Sequence, residues 1–175
     1  TRFYDRKEVK DAMAYLKAVV NPADEVGIKR VLNTPRRGVG DSSIARLDVF
    51  AGSQGISFAQ ALRRAEEAGV SGKALKGIQT FLNVIDGVAD YVQDGPALVL
   101  EELMKRSGYV RELEAEHSVE SEGRLENLAE LIGAAQDFET VEEFLEQVSL
   151  VADTDQLADV ASQSVLMTLH SAKGL

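Results

Sequence analysis

The sequence predicts an all-α fold, an irregular set of many helices with one short strand at the C-terminal end, and three observations carry that prediction. The composition is helical: three Pro and no Trp in 175 residues, with Ala, Leu, Glu, Lys and Arg plentiful. Apolar residues recur at three- and four-residue spacing along most of the chain. A β-branched run without helical period occurs only near the end, at 164–170. With 45% hydrophobic residues, the chain can bury the core of one ordinary domain.

The first helix spans Asp5 to Val20, where Val9, Met13, Leu16 and Val20 form one face and Lys7, Lys10 and Lys17 the other. Asn21-Pro22 ends it, because the residue before Pro avoids helical geometry, and Pro22 opens a second helix to about Leu32. Asn33 to Asp41 is a loop by its Pro and two Gly. Asp41 or Ser42 is expected to cap the helix carrying Ile44, Leu47, Val49 and Phe50.

After a break at Gly52 to Gly55, Ser57 starts a short helix with Phe58, Ala61 and Leu62. Gly69 to Gly72 is the next break. From Lys73 to Val92, Leu75, Ile78, Phe81, Leu82, Ile85, Val88 and Val92 form the longest apolar stripe, the expected spine of the core. Asp94-Gly95-Pro96 ends it. Pro96 to Arg106 follows as a helix with Gly108 at its end, then a short one over Tyr109 to His117.

Ser118 to Gly123 is polar and reads as a mobile loop, and Leu125 to Phe138 restores a helical apolar face. Thr140 to Glu143 has the spacing of a capping box ahead of Phe144, Leu145 and Val148. Asp153 to Gln163 reads as a linker. Ser164 to His170 reads as the strand, which needs a partner to be stable. No internal repeat or low-complexity tract is visible.

The chain has no Cys, so disulfides, thiolate metal sites and Cys nucleophiles are excluded, and a cytoplasmic location is expected. No apolar run approaches the roughly 20 residues that cross a bilayer, and Thr1 to Lys10 lacks a signal-peptide core, so no membrane partner is expected. The net charge of −10 is unevenly spread. Residues 1–40 hold nine Lys/Arg against five Asp/Glu, and residues 111–175 hold three against fifteen. A phosphate-binding surface therefore belongs in the first quarter, and the last third repels DNA.

The candidate for that surface is Arg36-Arg37-Gly38-Val39-Gly40, flanked by Thr34 and Ser42. Glycines let the backbone approach a phosphate, free amides at Val39 to Ser42 bind its oxygens, and the arginines add charge without reading base sequence. The same residues equally suit an ordinary interhelical turn with solvated arginines. Lys29 and Arg30 extend the patch or are solvated helix charges, and Lys73 and Lys76 could reach the second strand of a duplex.

Gly69 to Ala74 contains a Gly-Lys pair but neither the spacing nor the hydroxyl of a nucleotide loop. The carboxylates from Glu112 to Glu146 read as solvated helix faces. His117 reads as surface, and two His without Cys make no metal site. No catalytic residue is expected.

Three blocks resemble the UvrD, PcrA and Rep helicase family. Phe3-Tyr4-Asp5-Arg6-Lys7-Glu8-Val9-Lys10-Asp11, with Ala14-Tyr15-Leu16, is similar to the segment after motif IV. Asn33-Thr34-Pro35-Arg36-Arg37-Gly38-Val39-Gly40 resembles the first signature of the 2B subdomain, and Val165 to Leu175 resembles motif V. Arg124 to Leu131 is a softer match.

The resemblance implies that 1–20 is an edge of the RecA-like domain 2A, 21–163 the helical 2B subdomain, and 164–175 a 2A strand with motif V. Thr168, His170, Ser171, Lys173 and Gly174 would then contact DNA and couple it to nucleotide state in an intact enzyme. It also implies an ATP-dependent 3′-to-5′ DNA helicase of DNA repair, using ATP and magnesium held by motifs outside this chain. Its partners would be duplex DNA near a single-strand junction, the remaining helicase domains and, through self-association or autoinhibition, a second copy as a homodimer.

Overall fold

Lys7–Val20 (α1) is the helix around which the others assemble. Its apolar stripe is wide enough to be buried on several sides: Val9, Ala12, Tyr15 and Leu16 are wholly inaccessible to solvent. It packs against Glu25–Val31 (α2), Gly72–Ala89 (α5), Pro96–Arg106 (α6) and Val119–Ala135 (α8). The remaining helices are Asp41–Gln54 (α3), Phe58–Arg63 (α4), Tyr109–Glu116 (α7) and Val141–Lys173 (α9). The computed structural model describes residues 2–173, giving the backbone alone at 159, 162 and 164–173.

The fold is all-α, and no strand occurs among the described residues. The strand expected at 164–170 is therefore corrected: those residues continue α9 to Lys173. A strand satisfies its backbone only through a neighbour, whereas a helix does so within itself, and the described residues offer no sheet to join. The linker expected at 153–163 is helical for the same continuity. The mobile loop expected at 118–123 is instead the start of α8, where the Ser118 hydroxyl accepts from Ser121 N (2.9 Å) and Ser118 N donates back to Ser121 Oγ (3.0 Å).

Two buried carboxylates on α1 fix its neighbours. Asp11 accepts from Arg30 Nε at 2.9 Å and from the Tyr109 hydroxyl at 2.6 Å, tying α1 to α2 and α7. Burial, and then the bond to Asp11, push the Tyr109 phenol well above its ordinary value. Glu8 accepts from Asn127 Nδ2 at 2.7 Å, and Asn127 Oδ1 accepts from Arg6 Nη1 at 2.6 Å, tying α1 to α8. The ring of Phe144, on the first turn of α9, packs edge-on against Phe138, 5.4 Å between centroids. No buried side-chain polar atom among the described residues lacks a partner.

Candidate nucleic-acid interface

The segment between α2 and α3 is organised by three polar side chains. Asn33 Oδ1 accepts from Arg37 N (2.6 Å) and Val39 N (3.1 Å), which folds residues 33–39 into a closed turn. Beneath it lies Arg37. Its Nη1 donates to the carbonyls of Val31 and Leu32 at 3.0 Å and of Thr34 at 3.4 Å, and its Nη2 donates to the Tyr15 hydroxyl (2.6 Å) and to Ser107 O (3.4 Å). The Tyr15 hydroxyl itself donates to Thr34 O. Burial raises the Tyr15 phenol above its ordinary value, although Arg37 pulls the other way.

Close backbone packing holds the turn from the other side. A Cβ on Gly77 of α5 would fall 2.2 Å from the Arg37 carbonyl oxygen, so only Gly lets α5 pass there. Gly38 has φ +80° and lies against the Lys73 side chain. Exposure alternates along 36–40: Arg36, Gly38 and Gly40 face solvent, Arg37 is half-buried, and Val39 is 1% exposed.

Gly40 is the N-cap of α3. It supplies no side chain, so Asp41 and Ser42, expected as caps, lie inside the helix and the first-turn amides have no side-chain cap. Val39 N is engaged with Asn33, which narrows the free donors expected at 39–42 to those at the start of α3. Asp41 and Ser42 are exposed on that first turn. The next helix to begin beside the turn, α5, also starts without a side-chain cap, at Ser71.

The sequence-predicted basic residues separate into two groups. Arg36, Lys73 and Lys76 are exposed and have no ion-pair partner among the described residues. Lys29 bonds to Glu25 (2.9 Å) and Asp48 (3.0 Å) and lies over the Phe58 ring; its ammonium is held above the usual value, first by the bond to Glu25. Arg30 is spent on Asp11, and Arg37 on the turn itself. Thr34 turns its hydroxyl onto Arg30 O at 3.2 Å.

Thr168, His170, Ser171 and Lys173 are described as backbone of α9 only, and Gly174 lies outside the described residues. Asn33, Tyr15 and Gly77, absent from the sequence-predicted set, are what shape the turn. Among the described residues no cluster of three His, Cys, Asp or Glu could hold a metal ion. Gly69 to Ser71 precede α5 and Gly72 to Ala74 open it, with no hydroxyl after Lys73, which does not fit a nucleotide phosphate and its magnesium. Among the described residues no helix is long and apolar enough to cross a membrane.

Residues 1–175 match the UvrD-like helicase C-terminal domain family. The chain is 39% identical over 189 residues to the ATP-dependent DNA helicase PcrA of Bacillus subtilis, covering 100% of this chain and 25% of that protein. It is 39% identical over 198 residues to the ATP-dependent DNA helicase UvrD1 of Mycobacterium tuberculosis H37Rv, covering 99% and 26%. To the PcrA of Staphylococcus aureus Mu50 it is 38% identical over 186 residues, covering 99% and 25%. The chain thus spans about a quarter of the length of these relatives.

Proposed function

Because the chain belongs to the UvrD-like helicase C-terminal domain family, we propose that it is the accessory 2B subdomain, with 2A edges at 1–20 and 164–175, of an ATP-dependent 3′-to-5′ DNA helicase acting in repair. Its work is to hold duplex DNA near a single-strand junction while the remaining helicase domains bind ATP and magnesium. The observation that carries this reading is a closed turn that exposes Arg36 at the uncapped start of α3, with the Lys73 side chain against Gly38 and Lys76 next to the Gly77 that abuts Arg37, all three cations without an ion-pair partner among the described residues. Backbone amides with the positive end of a helix, and cations without internal partners, are what a phosphate backbone needs.

Within the predicted site, Arg36, Gly38, Gly40 and Ser42 face solvent and Lys73 and Lys76 join them. Lys29 and Arg30 are paired with Asp48 and Asp11, the Thr34 hydroxyl is bonded to Arg30 O, and Val39 is buried. A hairpin duplex with a 3′ single-stranded tail, titrated with the 175-residue chain, should show binding of about 10⁻⁴ to 10⁻⁶ M at physiological salt, the range of non-specific contact, and tighter binding at low salt. Binding that is absent, or unchanged in Arg36→Ala, overturns the reading.

A second reading, an interaction module for the rest of the helicase or for another copy, rests on α9. Leu150, Leu157 and Val160 are 56%, 70% and 60% exposed and share one side of that helix by their spacing. A chain that sediments as a strict monomer up to high concentration argues against self-association.

A further inference from the structure

Adjacent arginines in the turn have opposite surroundings, and from that difference we infer that Arg37 and Tyr15 are positioning residues for the phosphate-binding turn, with Arg36 the arginine that meets DNA. The inference rests on the reading above and assigns different work to two side chains that look alike in the sequence.

The Arg37 guanidinium is occupied. Both terminal nitrogens donate to protein oxygens, and its carbon lies 5.9 Å and 5.6 Å from the ring centroids of Tyr15 and Phe81. Three of its acceptors are carbonyls at and just beyond the C-terminal end of α2, where a fixed positive charge complements the helix dipole. To reach a phosphate it would have to leave Leu32 O without a donor and take one donor each from Val31 O and Thr34 O, beside a buried phenol.

Tyr15 closes the arrangement from α1, accepting from Arg37 while donating to Thr34 O. Asn33 grips the Arg37 amide and Gly77 abuts its carbonyl, so one residue joins α1, α2, α5 and the α6–α7 junction. Arg36 and Gly38 are its immediate neighbours, so the direction of Arg36 and the approach at Gly38 follow from where Arg37 is held. A lysine retains the charge but cannot bridge five oxygens with a planar fork.

The test is the salt dependence of hairpin-duplex binding by the 175-residue chain and its variants, with circular dichroism confirming that each is folded. Removing a phosphate contact lowers the log–log salt slope by about 0.9, as expected for Arg36→Ala, and Arg36→Lys should restore it. Tyr15→Phe and Arg37→Lys should each weaken binding about three- to tenfold, the equivalent of one hydrogen bond, at an unchanged slope.

A slope reduced in Arg37→Gln as much as in Arg36→Ala would make Arg37 a direct contact and overturn the inference. So would variants of Tyr15 and Arg37 that melt earlier but bind as tightly as the parent, since their role would then be stability alone. Failure of the unmodified chain to bind sinks the duplex-binding reading itself, and this inference with it.

Discussion

The turn at 33–43 and the acidic helices of the last third begin their helices in opposite ways. α8 starts on the Ser118–Ser121 capping box, and the Thr140 hydroxyl accepts from Glu143 N (3.2 Å) at the start of α9, so both satisfy donors internally; Glu120, Glu122, Glu142 and Glu143 occupy their first turns. α3 starts on a glycine, and the polar groups of the preceding turn are spent on holding its shape. Positive charge there is left pointing outward. The −10 of the whole chain is therefore a poor guide to what a ligand meets at the turn, because fifteen of the acidic residues lie at 111–175.

The sharpest way to break this contrast is to displace the turn from beneath. Gly77→Val places a branched side chain against the Arg37 carbonyl and should cost about 2–3 kcal/mol of stability in a urea titration. A cost below the noise of that measurement would mean that α5 does not hold the turn.

Giving α3 a cap of its own comes next in size. Gly40 has open space around its Cβ position and an ordinary negative φ, so Gly40→Asp is tolerated and should even gain a few tenths of a kcal/mol in helix capping. Duplex affinity should nonetheless fall about five- to tenfold at low salt, since a carboxylate then competes for the amides. Tighter or equal binding would show that these amides take no part.

Ser118→Ala is the matched change in the acidic region: a loss of about 1 kcal/mol in thermal unfolding, with duplex affinity unchanged. Smallest is Asp41→Asn, which removes the exposed carboxylate from the first turn of α3 and should strengthen binding about two- to threefold at low salt. Weaker binding in that variant would indicate that Asp41 supports the surface rather than opposes it.

Periodicity exposed most of the fold. The stripes of α1 and α5 are in the sequence, and Pro96 and Gly108 mark both ends of α6 as expected. The start of α8 was hidden because its capping partner is Ser121 rather than the usual Glu or Gln, which makes 118–123 look like polar loop. The β-branched run at 164–170 illustrates a different limit: strand preference is expressed only against a neighbouring strand, and without one the backbone of α9 runs on.

The basic turn was legible as a loop between two helices, but not in how differently its two arginines are held. Two adjacent arginines carry the same charge and the same propensity, and only burial tells them apart. A signal was nevertheless present in Val39: an apolar residue anchored in the core places its alternate neighbour, Arg37, on the inner side and leaves Arg36 outside. Lys29 and Arg30 were indistinguishable from free cations until α3 brought Asp48, and α1 brought Asp11, within reach. Asn33 read only as loop and Gly77 drew no attention in its helix, because the partner of each is fixed by tertiary packing.

The most direct measurement is the salt dependence of hairpin-duplex binding by the 175-residue chain and its Arg36→Ala/Lys73→Ala variant. If these two exposed cations neutralise DNA phosphates, the variant's log–log slope should be shallower by about 1.8, roughly 0.9 for each phosphate no longer neutralised. An unchanged slope, with the variant folded, would place the duplex elsewhere on the molecule and contradict the assignment of this turn as its DNA-binding surface.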